Sequence, residues 1–212
     1  MITIIIIIVT VAVSLMALNN YNLQSQCIFS PTSITNNNQW YRFITCGFIH
    51  ADEIHLSFNM ISLYMFGNML ESFFDSEIFA TNGKLIFLTL YISSLFFCLV
   101  PTYIKHKHNY NYRSLGASGA VSAVVFACIF INPLQGIGLL IIPGVYFPAF
   151  IFGIVYLAIT AYLDKKGNSY INHSAHLWGA IYGIIFTAIV IYLGTGSNAF
   201  VLFIQQVISY FN

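Results

Sequence analysis

Charge is what this chain of 212 residues has least of: 6% of its residues are charged, seven Lys or Arg against six Asp or Glu. A formal net charge of +1 with no dense basic run excludes a chain built to grip a phosphate backbone, so nucleic acid is not an expected partner. Cysteine is scarce too, and the four present are too scattered for a disulfide framework or a CxxC metal site. Cys98 and Cys128 fall in apolar stretches, where a thiol acts as a small hydrophobe. Cys27 and Cys46 share one loop, which leaves a bridge open if that loop faces an oxidising compartment. His50, His55, His173 and His176 are available nitrogens for zinc, but the His-Glu-x-x-His spacing is missing around Glu53 and His55, so neither a metal nor a cofactor is expected. No internal repeat is present, which argues against a transporter built of two related halves.

What the chain has in abundance is apolar surface: 58% hydrophobic residues and a mean hydropathy of +0.81 are those of an integral membrane protein. Its length leaves room for about six spans of roughly 20 residues and little else. One membrane domain over 1–212 is therefore expected, with spans near 2–18, 50–71, 84–103, 114–131, 147–163 and 171–194 and an interfacial tail at 199–212. The first stretch lacks a basic n-region and a convincing cleavage site and reads as a retained anchor. Between the first two spans lies the longest polar stretch, with Pro31, Asn36, Asn37, Asn38 and the interfacial pair Trp40 and Tyr41, read as a large loop. Pro133, Gly136, Gly138, Pro143 and Gly144 predict an irregular connection over 132–146, and 164–168 reads as a loop.

The few polar groups with useful chemistry lie inside these apolar segments, where a bilayer tolerates them poorly, so they mark a candidate site. The fourth span opens Gly116-Ala117-Ser118-Gly119-Ala120 and continues with Ala123 and Ala127; the sixth carries Ala175, Gly179, Gly183 and Thr187 at four-residue steps. Two such small-residue faces can approach closely, which would bring Ser118 to His176. A serine hydroxyl is a poor nucleophile until a positioned base takes its proton, and neutral imidazole is the usual base. The blander reading makes Ser118 a packing serine and His176 a buried histidine bonded to backbone. In the second span His55 and Asn59 share one helical face and can donate to a developing oxyanion together with the Ser118 N–H. His50 lies on another face and reads as a brace for the loop; Asn59 alone could equally be an interhelical hydrogen bond.

These residues resemble the rhomboid intramembrane serine proteases. The resemblance runs from about Trp40 to Gly183: Trp40-Tyr41-Arg42 resembles the Trp-Arg element of the family's first loop, and His50 to Met60 its histidine- and asparagine-bearing second helix. Gly67-Asn68-Met69-Leu70-Glu71 is similar to that helix's ending, Gly116-Ala117-Ser118-Gly119 to the nucleophile motif and Ala175-His176-Leu177-Trp178-Gly179 to the base-bearing helix. The resemblance implies an all-α six-helix membrane bundle with a large first loop and a short fourth helix that lifts Ser118 to the floor of a water-filled cavity. It implies Ser118 as nucleophile, His176 as general base, and His55, Asn59 and the Ser118 amide as oxyanion donors. His50, Gly116, Gly119, Gly179, Trp40, Arg42 and Glu71 would support them. Substrates would be transmembrane proteins within the lipid bilayer, cut near the top of a helix. The fifth helix and the loop after it would gate the cavity, with Phe150 and Tyr156 expected to face the second span.

Two departures from the family pattern stand out. Some members carry a tyrosine four residues after the nucleophile that stacks on the base, and this chain has Ser122 there. Arg42, Lys105, Lys107, Arg113, Lys165 and Lys166 all fall on the expected site side, against Lys84 alone opposite, so the positive-inside rule turns the site toward the cytoplasm. The family's usual bacterial arrangement is the reverse, and a bacterial inner (cell) membrane with that orientation is the expected location. The competing function is a catalytically inactive relative that binds client transmembrane helices; it would need neither Ser118 nor His176.

Overall fold

Helix is the only backbone form that satisfies its own hydrogen bonds within a single apolar segment, and it dominates here. A computed structural model describes residues 1–75, 82–138, 146–166 and 171–212. The order is α1 (Ile2–Leu18), α2 (Tyr21–Cys27), α3 (Pro31–Asn37), α4 (Arg42–Thr45), a 3-10 turn (Cys46–Phe48), α5 (Glu53–Phe73), α6 (Gly83–Phe97), α7 (Val100–His106) and α8 (Ser118–Ile131). The strands β1 (Gly136–Gly138) and β2 (Tyr146–Pro148) follow, then α9 (Ala149–Lys166), α10 (His173–Thr195) and α11 (Ala199–Ser209). Among the described residues two helical stretches, Gly83–His106 and His173–Thr195, have both the length and the hydropathy to cross a bilayer; Ile2–Leu18 and Ser118–Ile131 are apolar but shorter.

α8 is the hub. It is buried along most of its length, with α5, α6, α9 and α10 around it, and its contact with α10 is the most extensive between any two helices described. The small-residue faces explain this: a Cβ on Gly179 would collide with the carbonyl of Gly119, and one on Gly183 with that of Ala123. The two backbones touch, as the glycine spacing predicted. On the far side of α5, Gly67 admits Thr3 of α1, and the buried Glu71 carboxylate accepts hydrogen bonds from the Ile2 N–H (2.8 Å), the Thr3 N–H (2.9 Å) and the Thr3 hydroxyl (2.7 Å). That carboxylate satisfies amides at the start of α1 that no helix can satisfy itself.

Several expectations need correction. The fourth helix starts at Ser118, not 114, because Gly116 takes φ +112, a value outside the helical region. The second starts at Glu53, where the Asp52 carboxylate accepts from the His55 N–H at 2.7 Å. The third breaks between Phe97 and Val100, since Pro101 cannot donate and suits only a first helical turn. Asp164, Lys165 and Lys166, read as loop, extend α9, where the lysines complement the negative helix end. The 132–146 connection is not wholly irregular: Gly136, Ile137 and Gly138 pair antiparallel with Pro148, Phe147 and Tyr146, so the molecule is not purely α. Pro143, Gly144, Gly167 and Asn168 lie outside the described residues. All four cysteines are free thiols, and Cys46 is buried with its thiol toward the Phe43 carbonyl at 3.6 Å rather than bridged to Cys27.

Candidate active site

Three helices begin at one place. α5 is capped by Asp52, α10 by Asn172, whose side-chain oxygen accepts from the Ala175 N–H at 3.0 Å, and α8 starts at Ser118 itself. Helix N-terminal ends carry partial positive charge and favour anionic groups. Across the α8 and α10 starts, His176 Nε2 lies 2.6 Å from Ser118 Oγ. Both residues are of intermediate burial.

The stretch before Ser118 is pinned by its main chain. Phe29 and Ser114 exchange both backbone hydrogen bonds, at 3.0 and 3.2 Å, and the Gly116 N–H donates to the Cys46 carbonyl at 2.9 Å. The Ala117 N–H donates to His50 Nε2 at 3.3 Å. That contact assigns the tautomer: Nε2 accepts, so Nδ1 carries the proton and donates to Ser14 Oγ, 2.8 Å away. Ser14 then spends its own hydrogen on the Phe48 carbonyl at 2.9 Å. His50, fully buried, thus links Ser14 of α1 to the stretch before Ser118.

His55 packs its ring at 4.9 Å from that of His50 and lies over Gly116, where an added Cβ would meet the His55 ring at 2.6 Å. Glycine is required there twice, for its φ and for that imidazole. Asn59 is buried one turn along, and its Nδ2 gives one hydrogen to the His55 carbonyl at 2.9 Å. Its second hydrogen remains for another acceptor. The Ser118 N–H belongs to the first turn of α8 and has no carbonyl within its own helix. Gly119 lies against Cys98 and the Ala175 carbonyl, which an added side chain would displace.

The remaining expected residues act at greater range. Arg42 is buried and ties the first loop together: Nε donates to Gln39 Oε1 at 2.6 Å, and Nη1 donates to the carbonyls of Ser25 and Ile28, each at 2.8 Å. Trp40 stacks on Phe43 at 5.8 Å, and Phe43 in turn meets Phe29, Phe96 and Tyr103. Glu71 is not brought to the site; it sits sixteen residues along α5 from His55, about 24 Å by helical rise.

Sequence reasoning missed three residues and misplaced two. Asn172 also accepts from the Thr102 hydroxyl at 3.2 Å and donates to Ser114 Oγ at 3.4 Å, joining α7, α10 and the stretch before Ser118. An Asn directly before an apolar helix was a readable cap signal. Ser14 lies on the buried face of α1 with Thr3, Thr10 and Ala17, a polar stripe visible in an otherwise apolar run. Ser114 gave no signal beyond its polarity. Phe150 and Tyr156 do not face α5: α9 packs on α10 and α8, Phe150 meets Tyr210 and Phe211 of the tail, and Tyr156 lies over His176. The far end of α9 also reaches the site side, since Asp164 adds to the burial that pushes the Tyr112 hydroxyl up to about 12.

Comparison with known proteins agrees on one family. The Rhomboid domain family matches residues 37–193. The chain is 31% identical over 155 residues to RHOMBOID-like protein 12, mitochondrial, of Arabidopsis thaliana, covering 66% of this chain and 43% of that protein. It is 31% identical over 147 residues to YdcA of Bacillus subtilis (strain 168), whose name carries rhomboid protease as a provisional assignment, covering 68% of this chain and 63% of that protein. It is 29% identical over 149 residues to Rhomboid-like protein 11, chloroplastic, of Arabidopsis thaliana, covering 67% and 49%. The chain thus spans less than two thirds of the length of each of these relatives.

Proposed function

The chain belongs to the rhomboid family, and from that premise we propose that it is an intramembrane serine endopeptidase that cuts transmembrane protein substrates through a Ser118–His176 dyad. The observation that carries the reading is the 2.6 Å contact between His176 Nε2 and Ser118 Oγ. An imidazole protonated on Nδ1 accepts the Ser118 proton as Oγ attacks the scissile carbonyl carbon. The carbonyl electron pair moves to oxygen, where His55, the free Asn59 N–H and the Ser118 amide receive the charge. One such donor is worth about 3 to 4 kcal/mol of transition-state stabilisation. The C–N bond then breaks as His176 returns the proton to the departing amine, leaving an acyl-Ser118. A water molecule deprotonated by His176 releases the acid and restores the serine. His50, Gly116, Gly119 and Gly179 hold this geometry, and Trp40 and Arg42 hold the loop that buttresses it.

The same reading makes residues 1–212 one membrane domain with α1, α5, α6, α8, α9 and α10 as six spans and α11 as an interfacial tail. In this reading α8 is the short span: with 14 residues it is about 21 Å long, against a hydrocarbon core of roughly 30 Å. If its far end reaches the opposite interface, Ser118 lies below the membrane surface, in a depression water can fill. Location in a bacterial inner membrane, opening outward, is part of the proposal.

The test is labelling of the full chain in detergent with a fluorophosphonate probe. Wild type is expected to label, and Ser118→Ala and His176→Ala to lose labelling. Folded wild type that does not label would sink the protease reading in favour of a client-binding relative.

A further inference from the structure

We propose that Tyr156 is the positioning residue for the His176 imidazole, an aromatic platform supplied from α9 and anchored on α8 by Ser122. The proposal rests on the dyad reading above. The Tyr156 and His176 rings lie nearly parallel, 20° apart, with centroids at 6.5 Å, within the range of offset aromatic pairs. The Tyr156 hydroxyl is 3.2 Å from Ser122 Oγ. Ser122 is one helical turn beyond Ser118 on the same face of α8, and Phe126, one turn further, meets the Tyr156 ring at 5.5 Å. Phe152 stacks on it at 6.1 Å from within α9. Ser122 and Phe126 of α8 and Phe152 and Thr160 of α9 therefore hold the ring, which lies nearly parallel to the imidazole and offset from it.

The smallness of Ser122 is part of the arrangement. A large side chain there would occupy the space that the Tyr156 ring fills, whereas serine leaves that space open and offers an oxygen to the tyrosine hydroxyl. His173 supports His176 from its edge, at 6.0 Å and 80°, but does not cover its face. Without Tyr156 the imidazole is free to rotate away from Ser118 Oγ. It follows that the seating of α9 and the aim of the base are one variable: a displacement of α9 away from α8 removes the platform and uncouples the dyad. The titratable groups facing His176 are Tyr156 from α9, His173 from its own helix and His55 from α5, beside Ser118.

The measurement is the rate of Ser118 acylation by the fluorophosphonate from pH 5 to 9, with thermal melting of each variant in the same detergent. Tyr156→Leu is expected to acylate roughly 10-fold more slowly, with the midpoint of its pH profile displaced. Tyr156→Phe and Ser122→Ala, which keep the ring and remove its anchor, should be about 2- to 3-fold slower. Adding Ser122→Tyr to Tyr156→Leu should recover part of the rate, because a ring from position 122 can enter the vacated space. A merely space-filling Tyr156 would lower the melting temperature, leave the pH profile in place and gain nothing from Ser122→Tyr; that pattern, or unchanged rates in all the single variants, overturns the proposal. If Tyr156→Leu does not fold, Tyr156→Phe and Ser122→Ala decide alone. The controls keep the two readings apart: labelling that survives His176→Ala sinks the dyad, whereas labelling lost there but unmoved by Tyr156 and Ser122 variants sinks the platform only.

Discussion

The two flanks of the candidate site are held by different means. On one flank the chain leading to Ser118 is fixed through its backbone: Ser114 pairs with Phe29, the Gly116 amide with the Cys46 carbonyl, and the Ala117 amide with His50, itself pinned by Ser14. On the other flank α9 meets the site through rings and one hydroxyl contact, Tyr156 over His176 and against Ser122. Main-chain bonds buried in an apolar surrounding have no substitute partner, so that flank is stiff. Offset ring contacts can slide at small cost. The protease reading proposed above would use both, a Ser118 that does not move and a side on which a substrate helix can enter.

The comparison can be broken most severely where α8 and α10 touch. Gly179→Val forces a side chain into the Gly119 carbonyl, and a backbone contact cannot yield as a rotamer can. The loss should be on the order of 4 kcal/mol or more, read as failure to melt cooperatively or to elute as a single species. Gly116→Ala comes next. The φ of +112 adds strain of roughly 1 to 3 kcal/mol, and the new methyl pushes on His55. The protein should fold, and acylation of Ser118 should fall by about 100-fold if His55 is the oxyanion donor proposed above. Near-normal acylation would show that His55 does not need its present place.

A gentler cut tests the brace. His50→Leu leaves the buried Ala117 N–H without a partner, at a cost of about 1 to 3 kcal/mol, and lets the amide next to Ser118 drift. Ser14→Ala removes the hydroxyl partner of both His50 Nδ1–H and the Phe48 carbonyl but leaves the Ala117 amide bonded, and should cost less, about 1 kcal/mol. Melting and labelling together should rank His50→Leu above Ser14→Ala. The reverse order would mean that α1, rather than the Ala117 amide, is what His50 serves.

What could be read in the sequence divides along the same line. The helices, the pairing of α8 with α10 and the meeting of Ser118 with His176 follow from local patterns, because small residues at four-residue steps dictate close backbone approach wherever they occur. The start of α8 was misjudged by four residues, since hydropathy does not register the φ of a single glycine. Tyr156 was noticed but assigned to the wrong neighbour. Nothing along the chain says which helix a residue 34 positions beyond Ser122 will face, and that contact depends on how the whole of α9 seats. The reading of α9 as ending at 163 failed for a related reason: Asp164, Lys165 and Lys166 look like loop until the helix end they compensate is in view.

The smallest expected effect lies at the outer end of α9. Phe150 meets Tyr210 and Phe211 edge-on, at 5.7 and 6.3 Å, so the tail that follows α11 rests on the first turn of the helix that carries Tyr156. Removing Tyr210 and Phe211 should lower stability by about 0.5 to 1.5 kcal/mol per ring pair and leave the Ser118–His176 contact in place. Acylation by a small fluorophosphonate should then be unchanged. On the proposed protease reading, with a substrate helix entering past α9, cleavage of a transmembrane substrate should rise while a small probe is unaffected. If both rates fall together, the tail supports the dyad itself, and the flank of α9 is stiffer than its ring contacts suggest.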